Sequence, residues 1–187
     1  MSKVIKIHND SQLIKLSLLK DRKAQKRLFD RYAPKMLGLC VFYIQDQQQS
    51  EEVMMSAFFK VFTKLELFAG RGSFEAWVRK IMVYECISFL RKKKQLIFTD
   101  KIEKYDTNIE NEIELGIDAE ELHTYINELP DQCKIVFNMY VIEGYKHTEI
   151  AKILKVSTGT SKTQLYRARK ALQEIVSLHQ KRYYESK

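Results

Sequence analysis

From Glu51 to Phe68 the sequence EEVMMSAFFKVFTKLELF sets Val53, Ala57, Val61 and Leu65 at four-residue intervals, the spacing of one helical stripe. Met55, Phe59 and Phe62 fall on a second side, so the predicted helix is apolar over roughly 240° where about 100° seats a surface helix. A helix of this kind is either central to its own bundle or docked on a partner. The bundle is the simpler place for the aromatics, whereas Glu51, Glu52 and the flexible Met55 suit a partner surface. After a Gly-containing loop, FAGRGSF (Phe68 to Phe74), the pattern predicts another helix carrying Trp77, Arg79, Lys80 and Tyr84 and ending on Arg91 to Lys94. Interleaved aromatics and cations of this sort hold unpaired bases, although Phe74 and Trp77, three apart, are equally the pattern of a core.

A third pattern runs from Tyr145 to Arg169, YKHTEIAKILKVSTGTSKTQLYRAR. It predicts two short helices around a tight turn: Ile150, Ala151 and Leu154 face inward, Val156 plugs the turn, and Lys155 takes the left-handed position often given to Gly. Ser157, Thr158 and Thr160 cap the second helix, and Ser161, Leu165, Ala168 and Leu172 form its inner face. Lys162, Thr163, Tyr166, Arg167 and Lys170 are left on the outer face, suited to base edges and phosphates in a major groove. An ordinary helical hairpin with a solvated basic face has the same spacing. Charge bias favours the reader of DNA, since nine Lys or Arg stand against Glu149 and Glu174 between Tyr145 and Arg182.

Six Gly and two Pro in 187 residues point to an all-α chain, and 45% hydrophobic residues suffice for a core. The organisation predicted is two small helical domains, residues 1–95 and 118–187, joined by an acidic flexible linker, residues 96–117. Between Thr99 and Glu121 nine acids face only Lys101 and Lys104. In the second block Pro130 fits the first turn of a helix. The net charge of +8 calls for a polyanionic partner, with nucleic acid first. No apolar run is long enough to span a bilayer and the first residues lack a signal-peptide core, so a cytoplasmic protein without membrane insertion is expected. Cys40, Cys86 and Cys133 read as small core residues rather than disulfide or metal ligands, and no carboxylate or nucleophile pattern accompanies the four His. The prediction is no enzyme, no small-molecule substrate, no metal and no cofactor.

The order of these segments resembles one family, the extracytoplasmic-function (ECF) group of bacterial RNA polymerase sigma factors, within the sigma-70 family. The resemblance runs from about Leu28 to Ile175. It takes in LFDRYAPKMLGLCVFYI, the acidic EEVMMSAFFKVF, F-x-G-x-x-S-F-x-x-W-V-x-x-I with its trailing LRKKK, the acidic linker, and ELPDQCKIVFNMYVIEGYKHTEIAKILKVSTGTSKTQLYRARKAL. The resemblance implies a first domain (sigma region 2) that docks on core RNA polymerase and recognises and melts the minus-ten promoter element, and a second (sigma region 4) that reads the minus-35 element. It implies contacts with the β′ clamp helices and the β flap of the polymerase, promoter DNA as ligand, and an anti-sigma factor as regulator.

Residue by residue, Glu51, Glu52, Met55 and Phe58 fall in the polymerase-docking segment. Phe68, Arg71 and Phe74 fall in or beside the loop that takes a flipped-out base, and Trp77, Arg79, Lys80 and Tyr84 in the adjoining helix. Lys162, Thr163, Tyr166 and Arg167 match the minus-35 positions. Three positions depart from the family pattern: Tyr84 stands where Asn is frequent, Gln49 replaces the usual acid, and Met55 a frequent Gln. The competing reading is a stand-alone helix-turn-helix transcription regulator with a sensing or dimerising first domain.

Overall fold

The computed structural model describes residues 9–94 and 119–185, and every regular element among them is helical. The chain divides into two compact units within residues 1–95 and 96–187. The acidic segment read as a linker, residues 96–117, lies outside the described residues, as do residues 1–8.

The first unit contains α1 (Asp10–Leu18), α2 (Arg22–Ile44), α3 (Gln47–Thr63) and α4 (Phe74–Lys94), with a 3₁₀ turn at Leu65–Leu67. Each of the first three helices starts where a short polar side chain covers its orphan N–H groups. Asn9 accepts from the Gln12 N–H at 3.0 Å, Asp21 from those of Lys23 and Ala24 at 2.8 and 2.9 Å, and Asp46 from that of Gln49 at 2.9 Å. Because α2 stops at Gln45 in the left-handed conformation (φ 61°), the chain turns at once into α3. Helices α2, α3 and α4 pack pairwise, and α1 lies on α2. Their common core holds Leu28, Met36, Cys40, Val53, Ala57, Val61, Val78, Met82 and Cys86. Asp10 of α1 ties down Arg31 and the Tyr32 hydroxyl of α2. The Cys40 and Cys86 sulfurs lie 3.6 Å apart in this core, as unpaired small apolar residues.

The second unit contains α5 (Ala119–Glu128), α6 (Asp131–Phe137), a π-helical turn at Asn138–Ile142, α7 (His147–Leu154) and α8 (Thr158–Glu185). Pro130 sits one residue earlier than its sequence predicts: with ψ 138° it is the N-cap of α6 rather than part of its first turn. Ile126, Val136, Met139, Ile150, Leu154, Leu165, Ala168 and Leu172 close the core. Lys155 ends α7 at φ 57°, ψ 50°, so the left-handed turn position is indeed taken by a side chain that gains nothing there.

Candidate nucleic-acid interfaces and the exposed face of α3

In the second unit, α7 and α8 form the helix-turn-helix that the pattern predicts. The turn closes with the Val156 N–H donating to the Ala151 carbonyl at 3.0 Å, and Ser157 caps α8 by accepting from the Thr160 N–H at 2.9 Å. Ser161, Leu165, Ala168 and Leu172 are all buried, as their spacing requires. The two helices are also tied by a polar contact: His147 Nδ1 and Ser161 Oγ are 2.8 Å apart, and the His147 ring stacks on Tyr140 at 4.5 Å.

The outer face of α8 differs in part from its prediction. Lys162 and Lys170 are exposed, and Tyr166 and Arg167 are half-buried. Thr163, expected on the open face, is only 7% exposed, and Gln164 4%. Helical spacing describes α8 by itself, and the flank carrying Thr160, Thr163 and Gln164 is covered. Gln164 accepts a hydrogen bond from the Cys133 thiol at 3.2 Å and donates one to Gln132 at 3.3 Å. Arg167 borders an open cleft of about 470 Å³ with Pro130, Gln132, Cys133 and Gln164. Burial pushes the Cys133 thiol up, against the opposing pull of the Arg167 charge.

Desolvation first, then the Lys162 and Arg169 charges, hold the His147 imidazole below its ordinary pKa of 6.5. The fold therefore favours neutral His147, and the unfolded chain takes up its proton first as pH falls. Stability of the second unit is expected to decline as the pH drops through about 6.5. A His147→Gln variant, followed by thermal unfolding across pH 5 to 8, is expected to lose that part of the dependence; a profile identical to wild type would show that His147 does not carry it.

In the first unit, Phe68, Phe74 and Trp77 form a cluster with ring centroids 5.3 to 5.8 Å apart, and Phe74 packs edge-on against Tyr32 at 5.5 Å. Phe74 is 5% exposed, so it anchors the loop instead of facing a ligand. Gly70 and Gly72, at φ 69° and 82°, let the loop bend sharply and leave Arg71 exposed. Beside the cluster a groove of about 360 Å³ runs between α3 and α4, lined by Lys60, Lys64, Trp77, Lys80, Ile81, Tyr84 and Glu85. It thus gathers three of the predicted residues, Trp77, Lys80 and Tyr84. Phe68, Arg71 and Phe74 stay in the loop, and half-buried Arg79 is not part of the groove lining. Lys60, Lys64 and Glu85 were not expected there; their one trace in the sequence is the i, i+4 pair of lysines at the end of the apolar α3 pattern. Lys60 and Glu85 form an ion pair at 2.6 Å across the groove.

On α3 the second apolar side is open. Phe59 is 70% exposed and Met55 55%, with Glu51 and Glu52 exposed beside them, so the expectation that the bundle buries these aromatics fails for Phe59. Phe58 is the reverse. Predicted in the docking segment, it is 2% exposed, with Phe29 of α2 against it at 4.7 Å. One helical step of 100° separates the two side chains, and α2 covers the first. Gln49, where the resemblance leads one to expect an acid, accepts from the Lys93 ammonium of α4 at 2.6 Å.

Comparison with known proteins agrees with this architecture. The family model for sigma-70 region 2 matches residues 28–95, and that for sigma-70 region 4 matches residues 119–172. The chain is 24% identical over 185 residues to the RNA polymerase sigma-H factor of Pseudomonas aeruginosa, covering 89% of this chain and 93% of that one. It is 26% identical over 181 residues to the ECF RNA polymerase sigma-E factor of Haemophilus influenzae, covering 89% and 95%. Among solved structures, the sigma factor RpoE of Bartonella quintana, in complex with the anti-sigma factor NepR, matches with a TM-score of 0.52 at 20% identity over 81% of this chain and 96% of that chain. CnrH, in complex with the cytosolic domain of CnrY, matches with a TM-score of 0.50 at 17% identity over 90% and 97%. With regions 2 and 4 in collinear order on two helical units, the chain belongs to the ECF group of the sigma-70 family of RNA polymerase sigma factors.

Proposed function

We propose that this sigma factor docks on core polymerase through the open side of α3, holds unpaired minus-ten DNA in the groove between α3 and α4, and reads the minus-35 element with α8. The observation that carries the reading is the arrangement of α3: one side seats the core, Met55 and Phe59 lie open on another, and Lys60 and Lys64 border the aromatic groove. The chain forms and breaks no bonds. It lends specificity and strand separation to the polymerase, which makes the RNA.

Two weak DNA contacts joined through residues 96–117 become one strong contact once polymerase sets their spacing, because the second binding event is then effectively intramolecular. Free sigma therefore binds promoters poorly. At the minus-ten element, capture of a flipped base offsets the few kcal/mol of unstacking, so opening is favourable where the base fits. Trp77 and Tyr84 supply aromatic faces, and Lys60, Lys64 and Lys80 supply charge for the backbone. On α8, Lys162, Tyr166 and Arg167 are the readers. Thr163 joins them only if its covered flank opens on DNA.

Regulation follows the same surfaces. One solved neighbour is a sigma factor held by an anti-sigma factor, and an anti-sigma factor covering the Met55–Phe59 side would keep this chain from polymerase. No helix among the described residues is long and apolar enough to cross a membrane, and the site of action is the cytoplasm, where polymerase and promoter are.

The deciding experiment adds the purified chain to sigma-free core polymerase and fragmented bacterial DNA and sequences the RNA 5′ ends. New starts with shared upstream elements are expected. No new starts, with sequence-specific DNA binding by the chain alone, would instead establish a stand-alone regulator. On a promoter so defined, Arg167→Ala is expected to cost about 1 to 3 kcal/mol of minus-35 affinity and to relax preference at one position. Equal transcription from every minus-35 variant, before and after substitution, would remove Arg167 from the reader.

A further inference from the structure

Between Asn9 and Lys35 the chain carries eight Lys or Arg and only three acids, and none of the interfaces above uses them. All three acids are engaged. Asp10 holds Arg31, Asp21 caps α2 by accepting from two backbone N–H groups, and Asp30 holds Lys26. Lys35 and Lys60 in the same unit have carboxylate partners, Glu75 and Glu85. Around the turn from α1 to α2 the cations do not: Lys20, Arg22, Lys23 and Arg27 are exposed and none has an ion pair. An exposed surface with mixed charges usually neutralises itself; four unpaired cations within eight residues make a local field that attracts a polyanion.

We propose that the α1–α2 turn is a third DNA contact of this sigma factor, a sequence-independent clamp in which Lys20, Arg22, Lys23 and Arg27 neutralise promoter phosphates. The partner chemistry follows from the side chains present. Exposed Lys and Arg side chains meet phosphate oxygens without reading bases, in contrast to the groove, where Trp77 and Tyr84 lie among the lysines. The contact rests on the chain acting as a sigma factor, and it adds affinity in the promoter complex without altering the consensus. Its signature is ionic: each phosphate neutralised releases condensed counterions.

The test uses the full chain assembled with core polymerase on one defined promoter, with Lys20→Gln, Arg22→Gln, Lys23→Gln and Arg27→Gln combined. Promoter affinity is measured between about 50 and 200 mM salt, and core affinity in parallel. Each phosphate contact contributes about 0.7 to 0.9 to the slope of log affinity against log salt, so the slope is expected to fall by roughly 3 if all four engage. Core affinity and the ranking of promoter variants are expected to stay as in wild type. An unchanged slope overturns the proposal. So does weakened core assembly with the slope retained, which would make the turn a polymerase contact. A wild-type chain unable to start transcription with core polymerase would instead bring down the reading on which this one stands.

Discussion

Replacing Met55 and Phe59 together with Asp is expected to lower the affinity for core polymerase at least thirtyfold while the first unit stays folded. The two demands are rarely compatible for apolar residues, because most are in the core. Here they are, since Phe59 is 70% and Met55 55% exposed, and the packing of α3 is carried by Val53, Ala57, Phe58 and Val61. Large flexible or aromatic side chains left open on an otherwise packed helix are the residues that dominate protein interfaces, where a central anchor is worth about 2 kcal/mol or more, equivalent to about thirtyfold in affinity. An Asp at either place adds the cost of burying an unpaired charge. Native-gel assembly with core measures the loss, and thermal unfolding of the free chain checks the fold. Wild-type assembly would remove this side of α3 from the docking surface. A parallel Phe58→Ala change separates the two neighbours: at 2% exposure it creates a cavity, and it is expected to cost about 3 to 5 kcal/mol of stability.

The contrast between Phe58 and Phe59 also marks how far the sequence was readable. Periodicity was sufficient for the helices themselves, since α3, α7 and α8 follow repeats of three and four residues. The polar residues at Asn9, Asp21, Asp46 and Ser157 begin helices for a local reason, the cover they give to N–H groups. What spacing could not decide was which of two apolar sides on α3 faces the core. That depends on Phe29, more than twenty residues earlier, on another helix.

The candidate sites divide along the same line. Trp77, Lys80 and Tyr84 lie on one helix at spacings of three and four, and an interleaved pattern found them. The groove they border exists only because α3 brings Lys60 and Lys64 alongside and Glu85 holds Lys60. On α8, the buried face was legible because one helix defines it, whereas the burial of Thr163 and Gln164 depends on packing that no local pattern encodes. Lys155 was legible despite its poor fit, since the turn between α7 and α8 leaves the backbone no right-handed alternative at that point.

Trp77→Ala is expected to reduce stable promoter opening roughly five- to more than a hundredfold, from the loss of one base stack worth about 1 to 3 kcal/mol. Opening is sensitive to a single side chain because unstacking and capture nearly balance, so losing the aromatic face returns the equilibrium to the duplex. Trp77 also touches Phe68 and Phe74 at 5.5 and 5.8 Å, and part of any defect is a loosened loop. Trp77→Phe keeps that packing and a smaller stacking face, and is expected to fall between wild type and Ala. Lys80→Ala acts differently: its loss is expected to be largest at low ionic strength and to shrink as salt screens the contact it removes, whereas a lost stack is nearly indifferent to salt. A template left unpaired over the minus-ten segment removes the unstacking cost and is expected to restore much of the transcription lost by Trp77→Ala. If neither substitution changes opening on duplex DNA, the groove between α3 and α4 does not hold the unpaired strand. If the unpaired template fails to restore transcription, the defect lies in folding or docking, and the aromatic face of Trp77 is a support for the loop rather than a platform for a base.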